Sequence, residues 1–268
     1  MKTILMLAHD DDGQEARFQT ALDLARALSA HLTCLDLAQP PVWVSDYVTT
    51  AGAMIAFAEE ETREQLNVER LKRRLAEEDV AWDVQTAVGD ATPALIAQAA
   101  FADAVIVDCK AEGARITDPR SVAAATAAGV RGLVIAVPET LQRFDVFAPA
   151  LIAWDGSAPA AAAVRRAIPL LARASRVAMV TVGEESSRGY PAEAAARYLS
   201  RYDIHVDLMR RDPGAGGIDG ALRETARSLG AGQIVMGIYG NSPLAQAIFG
   251  GVSRRMLATS DVPLLLGR

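Results

Sequence analysis

In this chain of 268 residues the arrangement that most resembles chemistry is a set of glycines following an apolar run. Met236-Gly237-Ile238-Tyr239-Gly240-Asn241-Ser242-Pro243 continues to Phe249-Gly250-Gly251-Val252-Ser253-Arg254, so nine residues separate Gly240 from Gly250. Glycine at the carboxyl end of a strand lets the backbone turn sharply and approach a ligand closely. Exposed N–H groups there, together with a helix N-terminus at Ser242 to Leu244, suit the oxygens of a phosphate. The residues themselves leave a structural alternative open. Gly237 and Gly240 would then only turn strand into helix, and Gly250-Gly251 would relieve crowding where helices cross. Trp154-Asp155-Gly156-Ser157 is the second candidate. A carboxylate after a strand can accept a hydrogen bond from a base or a ribose, or cap the helix that follows, and Asp155 taken alone favours the cap.

The first half of the chain offers acids instead. His9-Asp10-Asp11-Asp12 follows the first apolar run and Asp108-Cys109-Lys110-Ala111-Glu112-Gly113 follows the fourth. Three consecutive acids at a strand end could hold a divalent metal through oxygen ligands. A solvated loop with helix-capping acids is the favoured alternative, so no metal site is assigned. Acidic side chains in this position oppose anion binding. Cys34 and Cys109 each adjoin an apolar run, the place for a buried thiol rather than a disulfide. Lys110 beside Cys109 would lower a thiol pKa if both were exposed. His31 and His205 fall at strand starts and read as structural. No Gly-x4-Gly-Lys-(Ser/Thr), Gly-x-Ser-x-Gly or metal-spaced Cys/His cluster occurs, and no catalytic residue is assigned.

The elements that must position these residues alternate. Apolar runs at residues 4–7, 32–37, 81–88, 104–107 and 132–137 read as strands. Helical stretches are expected at 14–30, 50–78, 93–101 and 121–128. After Gln142 the series begins again, with strands at 150–154, 177–182, 205–209, 233–236 and 262–266. Helices are expected at 159–174, 192–201, 218–229 and 244–259. Apolar runs buried on both faces, each followed by a helix, specify a parallel sheet covered by helices, which makes a doubly wound α/β unit. Two such units in tandem give domains at 1–142 and 147–268, joined by a short linker rather than a flexible tether.

Composition supports a packed protein. Hydrophobic residues are 51% and charged residues 22%, which excludes disordered and fibrous classes. A formal charge of -6 argues against nucleic acid or an anionic membrane as the main partner. No segment reaches the ~18 uncharged apolar residues of a spanning helix, the first apolar run is too short for a signal sequence, and a cytoplasmic location is expected.

The pattern Gly-x2-Gly-x9-Gly, with an Asp after the first strand of the same half and with this repeat length, resembles the universal stress protein family. The matching residues are Gly237, Gly240, Gly250 and Asp155. The resemblance covers the whole chain, strongly in the second half and weakly in the first. It implies two tandem doubly wound parallel five-stranded sheets, of the Rossmann-like kind found in adenine nucleotide alpha hydrolases, packed as an intramolecular pseudo-dimer. In nucleotide-binding members Asp and a residue ending the second strand hold adenine, while the glycine segment wraps ribose and phosphates. Those roles fall on Asp155, Val182, Met236, Gly237, Gly240, Gly250 and Gly251. The implied cofactor is ATP or another adenine nucleotide, with Mg if ATP is bound.

Departures accompany the matches. Gly251 stands where the family has Ser or Thr, and Ser253 is the substitute hydroxyl two residues on. Tyr239 and Asn241 stand where binding members often carry a basic residue, which leaves less positive charge for a triphosphate. The first half lacks the glycine pattern, and its expected role is that of a structural partner. The function implied is stress response or signalling rather than fast catalysis. A module that recognises a protein partner without nucleotide is the alternative, and slow ATP hydrolysis ranks last. In the family the last strand commonly crosses to the partner domain, so residues 132–137 and 262–266 should meet within one chain, making a homodimer less necessary.

Overall fold

A computed structural model describes residues 1–38, 50–110, 119–183, 189–238 and 251–268. Gly240, Gly250, the expected helix start at Ser242 to Leu244, Pro40-Pro41 and the 111–113 stretch lie outside the described residues. Among the described residues the first half runs β1 (Thr3–Leu7), α1 (Gln14–Leu28), β2 (His31–Ala38), α2 (Thr50–Leu75), β3 (Ala81–Val88), α3 (Ala91–Gln98), β4 (Ala104–Lys110), α4 (Pro119–Gly129) and β5 (Leu133–Pro138). The second half repeats it as β6 (Ala150–Ala153), α5 (Ala158–Leu171), β7 (Val177–Val182), α6 (Ala192–Ser200), β8 (Val206–Arg211), α7 (Gly217–Leu229), β9 (Gln233–Gly237), α8 (Gly251–Thr259) and β10 (Leu264–Gly267).

Strand order explains the burial pattern. Each half pairs its strands in parallel, as β3-β2-β1-β4-β5 and as β8-β7-β6-β9-β10, so the first strand lies between the second and the fourth. The central strands are covered by helices on both sides, and β5, Leu-Val-Ile-Ala-Val-Pro, is buried throughout. Runs of this kind cannot alternate polar and apolar, because neither face meets water. The edge strands β3 and β8 are mixed in exposure and carry Asp83, Gln85, Asp207 and Arg210, polar residues that discourage further strand addition.

The two sheets do not merely pack. β10 runs antiparallel to β5, with Leu264 opposite Ala136, Leu265 opposite Ile135 and Leu266 opposite Val134, and a single ten-stranded sheet results. The expected meeting of residues 132–137 and 262–266 takes the form of a hydrogen-bonded seam. Both faces carry cores that cross it. Ile4, Ile106, Ile135, Ile152 and Leu265 belong to one, and Leu5, Val105, Val134, Leu151 and Leu266 to the other.

The connection between the halves is fastened. Phe144 and Val146 are buried, Phe144 N donates to Asp23 Oδ2 at 2.9 Å, and Ser175 N donates to Phe147 O at 2.8 Å. Arg173, just past α5, donates from Nε to Ala27 O of α1 at 3.1 Å.

Cys34 and Cys109 are buried, free thiols. Burial, then the charge of Asp83, pushes the Cys34 thiol up to about 12. Burial and the neighbouring Asp108 push Cys109 up as well. The lowered pKa that Lys110 would have given an exposed Cys109 is thus reversed by desolvation. Neither cysteine should react with iodoacetamide at pH 8 in the folded chain, and both should react once it is unfolded in denaturant. Mass spectrometry after timed labelling checks this, and rapid alkylation under native conditions would contradict it.

Candidate functional site

In an open parallel sheet the place for a ligand is the crevice outside the carboxyl ends of the strands, where the connections leave in opposite directions. The strand order puts that point between β6 and β9 in the second half and between β1 and β4 in the first.

In the second half Asp155 follows β6, Val182 ends β7, and Met236 and Gly237 end β9, so these four expected site residues share one edge of adjacent strands. Asp155 is exposed. Its Oδ1 accepts from Ser157 N at 2.9 Å, while Ser157 Oγ accepts from Ala160 N at 3.2 Å. Ser157 is therefore the helix cap that Asp155 alone was expected to supply, and Asp155 orders the turn that precedes it. Pro159 in the first turn of α5 needs no N–H partner. The turn is clamped from the far side, since Trp154 Nε1 donates to Tyr190 O at 3.0 Å and Tyr190 N to Gly156 O at 2.8 Å.

Gly237 has a packing role in this structure. A Cβ on it would stand 2.4 Å from Ala160 N, in the backbone of α5. The helix can seat its first turn on the end of β9 only because no side chain intervenes. Met236 is buried in the core and Val182 is half-buried, both at the ends of the strands that flank β6. Gly251 opens the described part of α8, with Ser253 on its first turn. Arg255 of the same helix donates from Nε to Asp219 Oδ1 of α7 at 2.6 Å. The expected phosphate-side residues Gly240 and Gly250 fall within 239–250, outside the described residues.

The first half has a different arrangement at the equivalent point. Arg17 of α1 is fully buried and reaches across the switch point. Its Nε donates to Leu7 O at 2.7 Å, Nη2 to His9 O at 2.8 Å, and Nη1 to both Asp11 Oδ1 at 2.9 Å and Asp108 Oδ2. Burial would lower the guanidinium pKa, but Asp108 and Asp11 outweigh it and hold Arg17 charged. A Cβ at Gly13 would fall 2.1 Å from Asp108 Oδ1, so any larger residue here would have to displace the Asp108 carboxylate from its place beside Arg17. The expectation of a solvated acidic loop is thereby corrected: Asp11 and Asp108 are neutralised inside the protein by an arginine contributed by the following helix. Asp10 is taken up by Arg70 Nη2, at 2.7 Å from its Oδ1.

Beside this plug lies a second polar group. His9 is buried, with Nδ1 3.0 Å from Leu37 O and 3.0 Å from Glu64 Oε1 of α2. Burial would lower its pKa, but Glu64 and Asp11 raise it above the ordinary value. Asn67 Nδ2 donates to Ala8 O at 2.7 Å and to Asp36 Oδ1 at 3.3 Å. Burial, then the hydrogen bond and charge of Glu64, push the Asp36 carboxyl up to about 8.

Arg17, Asp36, Glu60, Glu64 and Asn67 were not singled out from the sequence, although a signal exists for some of them. Arg17 is in phase with Ala21, Leu24 and Leu28 on the buried face of α1, and Glu64 and Asn67 extend the Val68, Leu71, Leu75 stripe of α2 toward its N-terminus. A charged residue on the inner stripe of a helix must find a partner inside.

No protein-family model matches this sequence, and no curated protein matches it significantly. Solved structures do. The chain is similar to a universal stress protein from Archaeoglobus fulgidus DSM 4304, at 14% identity and a TM-score of 0.73, with 98% of both chains covered. It is also similar to a protein from Pseudomonas aeruginosa PAO1 described as functionally unknown, at 15% identity and a TM-score of 0.62, covering all of this chain and 92% of that one. Such identities speak for the fold. The chain has the universal stress protein fold over its whole length, as the glycine spacing led one to expect.

Proposed function

From that fold we propose that the chain is a tandem universal stress protein of the cytoplasm, with domains at 1–142 and 147–268, in which the second domain binds an adenine nucleotide and the first is its structural partner. The observation that carries this reading is the contrast between the two switch points. In the first half Arg17, Asp11 and Asp108 fill the crevice with a buried ion cluster. In the second, Asp155 stands exposed beside Val182 and Met236, with no such plug among the described residues. Adenine would lie against Val182 and Met236, with Asp155 as the acceptor. Ribose and phosphates would follow the Gly237, Gly240, Gly250, Gly251 segment, with Ser253 as the nearest hydroxyl of α8 and Mg accompanying ATP. The missing hydroxyl at Gly251 and the absence of an assigned general base make this a binding site rather than a site of fast hydrolysis.

Calorimetric titration with ATP, ADP and AMP tests the proposal. Saturable binding of one equivalent per chain is expected, lost in Gly240→Val and retained in Asp12→Asn. No heat of binding at millimolar nucleotide would overturn it.

A further inference from the structure

A group of side chains in the first half, separate from the nucleotide reading and unaffected by its failure, has the composition of a metal site. His9 sits at the carboxyl end of β1. Glu60 and Glu64 are four residues apart on α2, which puts their side chains on one face of the helix. One ligand atom from each of the three lies within 4.8 Å of the others. Ligands at 2.0–2.2 Å from a shared ion approach that spacing, so small rotations would bring all three onto one cation. We propose that His9, Glu60 and Glu64 bind a divalent first-row transition ion, and that the ion ties α2 to the end of β1.

Four observations support this. The His9 ring is wholly buried, its Nδ1 lies 3.0 Å from both the Leu37 carbonyl and Glu64 Oε1, and its Nε2 has no hydrogen-bond partner among the described residues. One ring nitrogen thus already meets a proposed ligand, and an ion bound there would displace the proton that His9 shares with Glu64. Glu64 has outer-shell support, because its Oε2 lies 3.3 Å from Asp10 N and 3.4 Å from Asn67 Nδ2. A cation already stands in this place. The Arg63 guanidinium pairs with Glu60, and with Glu64 Oε1 at 3.4 Å, yet its side chain is a quarter exposed and can swing out as an ion enters. Finally, a cleft of about 530 Å³ is bordered by Glu64, one of the three proposed ligands, together with Asp36, Glu61, Glu69 and Lys72. Its excess of acidic groups favours positive ions. One imidazole with two carboxylates suits zinc or manganese better than calcium or magnesium, which prefer oxygen alone.

The loop acids are not the ligands. Asp10 and Asp11 are engaged by Arg70 and Arg17, so the triplet that drew attention in the sequence lies next to the proposed site without forming it.

Equilibrium dialysis of the full chain against Zn²⁺ and, separately, Mn²⁺, with metal counted by mass spectrometry, tests the proposal without nucleotide present. One equivalent per chain is expected, with a rise in Tm on adding the ion. Glu60→Gln, at a partly exposed position, should keep the fold by circular dichroism and weaken binding at least tenfold. Glu64→Gln and His9→Gln should weaken it further, and Glu193→Gln, on the exposed face of α6, should leave it unchanged. Absence of saturable binding up to about 100 μM metal, or binding unaltered in a folded Glu60→Gln chain, would overturn the proposal.

Discussion

Replacing Arg17 by alanine should lower the free energy of unfolding by about 3–5 kcal/mol, because it leaves carboxylates buried without their counter-ion. Arg17 is fully buried and its guanidinium satisfies Leu7 O, His9 O, Asp11 and Asp108 together. Among the described residues Arg17 is the one cation paired with Asp11 and Asp108, and the space left by truncation is lined by like charges. Denaturant unfolding measures the loss. The companion chain Arg17→Met, Asp11→Asn, Asp108→Asn removes both signs of charge and should recover a large part of it. A loss below about 1 kcal/mol in Arg17→Ala would mean that water reaches the carboxylates and that the plug is not dry. The same comparison separates charge from volume, since the methionine keeps most of the arginine stem.

The second large effect is expected at the seam. Leu265 lies opposite Ile135, and both are fully inaccessible. Leu265→Asp puts a carboxylate where neither water nor a cation can meet it, at a cost of about 4–5 kcal/mol, whereas Leu265→Met should cost less than about 1.5 kcal/mol. The form of the unfolding curve matters as much as its midpoint. Because both hydrophobic layers cross from one half to the other, the parent chain should unfold in one cooperative step. In Leu265→Asp the layer that contains Ile135 and Leu265 is cut at the strand pair, and the halves should unfold separately, in two resolved steps. Calorimetry distinguishes the cases. A variant with one transition and a cost under about 1 kcal/mol would show that the seam contributes little.

The seam also shows where sequence reasoning reached and where it stopped. Strands such as Ala104-Val-Ile-Val and Leu133-Val-Ile-Ala-Val announce themselves, because a strand buried on both faces has no polar alternation to disguise it. The repeat followed from their order. Nothing in residues 264–266, however, distinguishes packing of one sheet on another from edge-to-edge continuation, since hydrogen bonding uses backbone that every residue shares. The site divides in the same way. Asp155 and Gly237 were visible because a turn needs particular residue types, yet the reason for Gly237, the backbone of Ala160 at its face, comes from a segment far away in the chain. Glu60 and Glu64 sit in a run of acids, Glu59 to Glu61 and Glu64, whose local pattern reads as a solvated helix face. Only the approach of His9 from β1 selects Glu64 for the interior. The charged residues of this protein take their meaning from partners across the fold, and composition cannot supply those.

The antiparallel pairing of β5 with β10 has a further bearing, on mass action. Strands joined within one chain meet at an effective concentration set by the linker, in the millimolar range for a short connection, whatever the amount of protein present. Dilution therefore leaves the ten-stranded sheet intact, while an equivalent seam between separate chains would dissociate. The two halves are obliged to occur in equal number and always side by side, so a substitution can be accepted in one half without being imposed on its neighbour. The arginine plug on one side of the seam and the exposed Asp155 on the other are the kind of asymmetry that such an obligate pairing allows.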